Sequence, residues 1–148
     1  MRRLLKFALP LLLVPAALFG TSTVANAAVV TDCNTTNGIQ TCQVYEPIST
    51  GSCSTLVTQA AAGSAFVQEW PLDYAGTVYD CRFWLERDVN NTGWYNESGY
   101  LILSPGNEYF SQNYYDGPGY QARVCFQYLW SGTSDPGAVH CSSAIGGL

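Results

Sequence analysis

The sequence predicts an all-β protein: a small, disulfide-stabilised antiparallel β-sandwich, immunoglobulin-like or related, carried behind an N-terminal signal peptide. Three observations point there. Apolar residues fall on every second position in two long runs, 78–87 and 120–130. Turn signals rich in Asn, Gly and Pro separate the candidate strands at spacings of roughly 8–12 residues. All six cysteines lie beyond the leader, an even number that reads as three disulfides in a small exported chain.

The leader comes first. Arg2, Arg3 and Lys6 precede an apolar run from Phe7 to Phe19, and Ala25-Asn26-Ala27 is a small-x-small cleavage site. The run is too short to span a bilayer comfortably and is broken by Pro10 and Pro15. Cleavage after Ala27 would leave residues 28–148 as one secreted, extracellular β domain, with no linker or internal repeat to divide it.

Within that domain, residues 28–40 are polar and carry the turn signal Asn34-Thr35-Thr36-Asn37-Gly38. Thr41–Glu46 is a short strand ended by Pro47, and 48–52 a loop. Cys53–Ala62 fits a helix through Leu56, Val57, Ala60 and Ala61, or a strand through Thr55, Val57 and Thr58. Ala65–Trp70 fits a strand closed by Pro71. Thr77–Val89 is the clearest strand, and Asn90-Asn91-Thr92-Gly93 a strong turn into a returning strand, Trp94–Leu103. Glu108–Asn113 is a weaker strand. Asp116-Gly117-Pro118-Gly119 turns the chain into a second clear strand, Gly119–Trp130. Ser131–Gly137 reads as a loop, Ala138–Ser142 as a last strand, and Ile145–Leu148 as a fraying tail.

Strand alternation restricts the disulfides. Cys81 shares the apolar face of its run with Tyr79, Phe83 and Leu85, whereas Cys125 shares the polar face of its own with Gln121, Arg123 and Gln127. A Cys81–Cys125 bridge through the core is disfavoured, since both would have to point inward. The expected pairing is Cys33–Cys42, Cys53–Cys81 and Cys125–Cys141. Metal ligation is a poor alternative, because there is no C-x-x-C pair and the one histidine, His140, adjoins Cys141.

Charge excludes some partners. Beyond the leader there is no lysine and only Arg82, Arg87 and Arg123, against 11 acidic residues. The formal charge of −5 therefore becomes −8, three arginines against 11 acids. Nucleic acid and anionic membrane surfaces need clustered cations and are not expected partners. Neutral or cationic extracellular partners are compatible.

Aromatic residues are the distinctive chemistry. Tyr114 and Tyr115 precede a Gly-Pro-Gly turn, Trp84 points away from the apolar face of its strand, and Trp94 and Tyr95 follow a turn directly. Exposed Tyr and Trp stack on sugar rings or anchor protein interfaces. The expected ligand contacts are therefore Trp84, Trp94, Tyr95, Tyr114 and Tyr115, on a non-catalytic binding protein for a glycan, a cell-wall polymer or an extracellular protein. No cofactor is expected. Asp88–Gly93 echoes the start of a calcium loop, but Gly99 stands where a bidentate Glu is needed. Asn34-Thr35-Thr36, Asn90-Asn91-Thr92 and Asn96-Glu97-Ser98 fit glycosylation acceptors.

Two other functions fit less well. A protease inhibitor would present Ser104–Asn107 or Ser131–Gly137 as a rigid reactive loop. A small hydrolase would use His140, with Ser142 or Ser143 nearby, or a carboxylate pair such as Glu86 with Asp88 or Glu97 with Glu108.

Overall fold

The computed structural model describes residues 29–46, 53–74, 80–129 and 136–146. The expected leader, the loop 48–52, residues 77–79 of the expected long strand and most of the loop 131–137 lie outside the described residues. The described residues form strands and no helix. In chain order they are β1 (Val30–Thr36), β2 (Ile39–Tyr45), β3 (Cys53–Gln59), β4 (Phe66–Asp73), β5 (Asp80–Val89), β6 (Tyr95–Asn96), β7 (Leu101–Leu103), β8 (Tyr114–Tyr115), β9 (Tyr120–Leu129), β10 (Pro136–Cys141) and β11 (Ile145–Gly146).

Two antiparallel sheets result. The first runs β1-β2-β3-β4-β8; the second runs β10-β9-β5-β6, with β7 also on β5 and β11 also on β9. β5 and β9 are the spine of the second sheet, paired over their whole length from Asp80 opposite Leu129 to Val89 opposite Tyr120. Their odd–even alternation sends Cys81, Phe83 and Leu85 inward from β5, and Ala122, Val124 and Phe126 inward from β9. From the first sheet Cys42, Val44, Cys53 and Val57 meet them, all fully buried. The fold class read from periodicity is thus the fold observed.

The three disulfides are Cys33–Cys42, Cys53–Cys81 and Cys125–Cys141, the expected pairing, and the disfavoured Cys81–Cys125 bridge is not formed. The first and third join directly opposed residues of neighbouring strands. The second joins β3 to β5 and so ties one sheet to the other. Cys125 does lie on the outer face of β9, and its bridge runs sideways to β10.

Several local expectations are corrected. The polar stretch after Val29 is a strand, β1, because Asn37 (φ 53°) and Gly38 (φ 77°) make a two-residue primed turn that folds it back on β2. Cys53–Gln59 takes the strand option, paired on both sides. The strand expected to stop before Pro71 continues to Asp73. The Pro71 carbonyl accepts from Tyr109 N (3.1 Å), so its missing donor faces residues 107–113 rather than β3. That segment follows β4 by scattered bonds, including Ser111 N to Glu69 O (3.0 Å), instead of forming the regular strand expected at 108–113. The returning strand 94–103 exists only as β6 and β7, separated by a bulge in which Glu97 N and Ser98 N both bond Leu85 O. Ile145 does not fray: it is fully buried and paired with Ala122 in β11.

Candidate binding face

The strand β4 is inverted relative to ordinary patterning. Its odd positions, Val67, Glu69, Pro71 and Asp73, point inward and are buried. Its even positions point outward, leaving Phe66 44% and Trp70 42% exposed. Two acids are inside while two large aromatic rings face solvent. Residues 107–115, running beside β4, add to the same outer face. Phe110 lies edge-on to Trp70 (ring centroids 5.5 Å) and Tyr115 edge-on to Phe66 (5.6 Å). The Trp70 indole N–H donates to Glu108 Oε2 (3.2 Å).

Register arranges these groups in rows across the sheet. Gln43, Leu56 and Trp70 are opposed in sequence from β2 to β4, and Tyr45, Ser54 and Leu72 form the next row. Between the rows lies a shallow depression of about 200 Å³ lined by Gln43, Ser54, Leu56, Trp70, Leu72 and Tyr74. Phe66 and Trp70 are four residues apart on one strand, roughly 13 Å along the sheet. The result is an exposed face with two aromatic pairs, an apolar trough and amide, hydroxyl and carboxylate groups at its margin.

The five aromatics expected to form a site do not come together. Trp84 is on the outer face of the second sheet as expected but only 4% exposed: Tyr100 covers it edge-on at 5.3 Å, and its N–H donates to Glu86 Oε1 (2.9 Å). Trp94 is half-buried beneath Arg123, whose guanidinium lies 4.2 Å from the ring centroid and pairs with Glu86 at 2.6 Å. Tyr95 is exposed at the edge of the second sheet. Tyr114, expected in a loop, belongs to β8 and points inward, 9% exposed. Tyr115 alone of the five reaches the aromatic face of the first sheet. Phe66, Trp70 and Phe110 were missed. The signal for them lay in the alternation Phe66, Gln68, Trp70, Leu72, which hydrophobicity alone assigns to the core.

The inward side of the same edge is polar. Glu69 is 3% exposed and Asp116 is fully buried. Burial pushes both carboxyls up to about 7, opposed for Glu69 by a hydrogen bond with Ser98 and for Asp116 by the charge of Arg87. Burial also raises the Tyr114 phenol, and the charges of Glu69, Tyr109 and Glu97 add to that rise.

The carboxylates and the histidine named for hydrolysis are each engaged elsewhere. Glu86 is bound to Arg123, Asp88 Oδ1 accepts from Gly93 N (3.1 Å) inside its turn, Glu97 pairs with Arg87 (3.3 Å) and Glu108 holds Trp70. The Asp88–Gly93 segment is therefore a hairpin turn held by its own carboxylate. His140 packs 5.3 Å from Phe126, while Ser142 Oγ bonds the main chain at Val124 N and Ser143 O. Glu86 also lies near Cys125 and Cys141, but those sulfurs form a disulfide and are not ligands.

No family model matches the chain, and neither a curated protein nor a solved structure matches it.

Proposed function

We propose that the chain is a secreted, non-catalytic binding protein that docks a neutral extracellular polysaccharide on the outer face of its first sheet. The inversion of β4 carries this reading. Burying Glu69 and Asp73 while exposing Phe66 and Trp70 breaks the usual pattern at a cost in stability, and such breaks concentrate where a surface has work to do. An exposed face with aromatic rings and a polar margin suits stacking on sugar rings, with hydrogen bonds between the ring hydroxyls and Gln43, Gln68, Ser54 and Glu108. Among the described residues of that face there is no cation, since Arg82, Arg87 and Arg123 all belong to the second sheet. That distribution favours an uncharged polymer over an acidic one. Three disulfides and the leader support an extracellular setting.

The inhibitor reading loses ground at Ser104–Asn107. That segment is a tight turn closed by Asn107 N and Nδ2 on Ser104 O (3.1 and 2.9 Å), not the extended loop that a protease cleft pairs with as a strand.

Co-sedimentation with insoluble β-glucan, chitin and an insoluble acidic polysaccharide tests the proposal. Retention on a neutral polymer is expected to fall about tenfold for Trp70→Ala, the size of one lost anchoring aromatic. Tyr100→Ala, on the opposite face, should bind as wild type. Equal retention of wild type and Trp70→Ala on every polymer removes this face from the reading.

A further inference from the structure

The edge where β8 docks on β4 has an unusual interior. On the outside, Phe66 and Tyr115 are opposed in the ladder, as are Val67 and Tyr114 on the inside. A buried acid flanks this pairing on either side: Asp116, which follows Tyr115 and bonds Ala65 O through its amide, and Glu69, two residues past Val67 on β4. Both Asp116 oxygens and Glu69 Oε1 are buried with no hydrogen-bond partner among the described residues. Arg87 of β5 acts on Asp116 but is already paired with Glu97 (3.3 Å) and lies over Tyr120 (5.4 Å). Glu69 faces Ser98 from the bulge after β6, and Tyr114 of β8. Tyr109 and Glu97 act on the same region through Tyr114. Arg87 thus serves both Asp116 and Glu97, and Glu69 has the hydroxyl of Ser98.

The strand that closes this edge is short. β8 has two residues, secured by Asp116 N to Ala65 O (2.7 Å), and the approach to it by Ser111 N to Glu69 O (3.0 Å) and Glu69 N to Ser111 Oγ (2.8 Å).

We propose that β8 is a proton-operated latch: with Glu69 and Asp116 protonated it closes the sandwich edge, and when they ionise it releases from β4. The driving force is the burial of charge that Ser98 and Arg87 offset only in part. The direction follows from linkage. Both carboxyls hold their proton more tightly folded than unfolded, where the ordinary values are 4.5 for Glu69 and 3.8 for Asp116. Their contribution is therefore complete below about pH 4 and is lost as pH rises towards 7. Release would carry Tyr115 away from Phe66 and dismantle one of the two outer aromatic pairs. That further consequence, weaker ligand retention at pH 8 than at pH 5, rests on the polysaccharide reading; the latch itself does not.

Amide hydrogen exchange on the intact, disulfide-bonded protein, corrected for intrinsic rates, tests it without any ligand. Protection of the Asp116 and Ser111 amides is expected to fall at least about tenfold from pH 5 to pH 8, while amides of the β5–β9 ladder hold theirs. The double variant Glu69→Gln, Asp116→Asn should abolish that difference. Carboxyl-carbon NMR titration of the wild-type protein decides the matter even where the variant does not fold. Titration of both groups near neutrality supports the latch; titration of both near 4, or pH-independent protection of Asp116 and Ser111, overturns it. Loss of polysaccharide binding at every pH with the exchange result intact would fault the binding reading alone.

Discussion

Replacing Cys53 and Cys81 together by alanine is expected to lower stability by about 4 kcal/mol, more than loss of either other disulfide. The chain-entropy model assigns the 28-residue separation of this bridge roughly 3.6 kcal/mol, against about 3.1 for Cys125–Cys141 and about 2.6 for Cys33–Cys42, separated by 16 and 9 residues. Position widens the gap. Cys53 and Cys81 are fully buried and pack with Val44, Phe83 and Phe126, so the sulfurs contribute core volume as well. Cys33 sits on the exposed strand β1, where its bridge restrains a hairpin already specified by its Asn-Gly turn. Urea denaturation of the three double-alanine variants measures the order. A Cys33–Cys42 variant as unstable as the Cys53–Cys81 variant would contradict both the loop-closure order and the added contribution of joining the sheets.

Phe126→Ala should cost about 4 kcal/mol, within the range for a buried aromatic truncated to a methyl. Phe126 is fully buried at the centre of β9, and its ring meets Phe83 at 6.5 Å, Tyr128 at 5.4 Å and His140 at 5.3 Å. Strands from both sheets close around it, so the cavity left behind cannot collapse easily. Phe110→Ala provides the contrast. Its ring is 48% exposed and touches Trp70 from outside the sheet; its removal should change stability by less than about 1 kcal/mol. Thermal and urea unfolding of the two variants separate a core phenylalanine from a surface one, and comparable losses would contradict the assignment of Phe110 to the surface.

The features that could be read from the chain were those set by long, regular alternation. Cys81, Phe83 and Leu85 of β5 and Ala122, Val124 and Phe126 of β9 keep to alternate positions, and the side on which each cysteine falls then limits its partners. What could not be read has three separate physical origins. Alternation says that Phe66 and Trp70 share a face, and Glu69 and Asp73 the other, but not which face the opposing sheet covers; β4 takes the less common choice. A two-residue strand such as β8 is too short for any period, so Tyr114 and Tyr115 looked like loop residues. Trp84 lies on the outer face as alternation implied, yet Tyr100, sixteen positions later, folds over it. Contact between elements distant in sequence decides such cases, and they include much of the candidate site.

The three arginines have a consequence for proteolysis. Arg82 and Arg87 lie within β5 and Arg123 within β9, the two longest strands, paired with each other through the middle of the second sheet. With no lysine beyond the leader, trypsin has no site within 28–148 outside this ladder. A protease must bind its substrate as an extended segment, and none of these three bonds can be presented that way while β5 and β9 remain paired. Cleavage there reports opening of the central ladder, so trypsin resistance becomes a direct gauge of whether the molecule is folded.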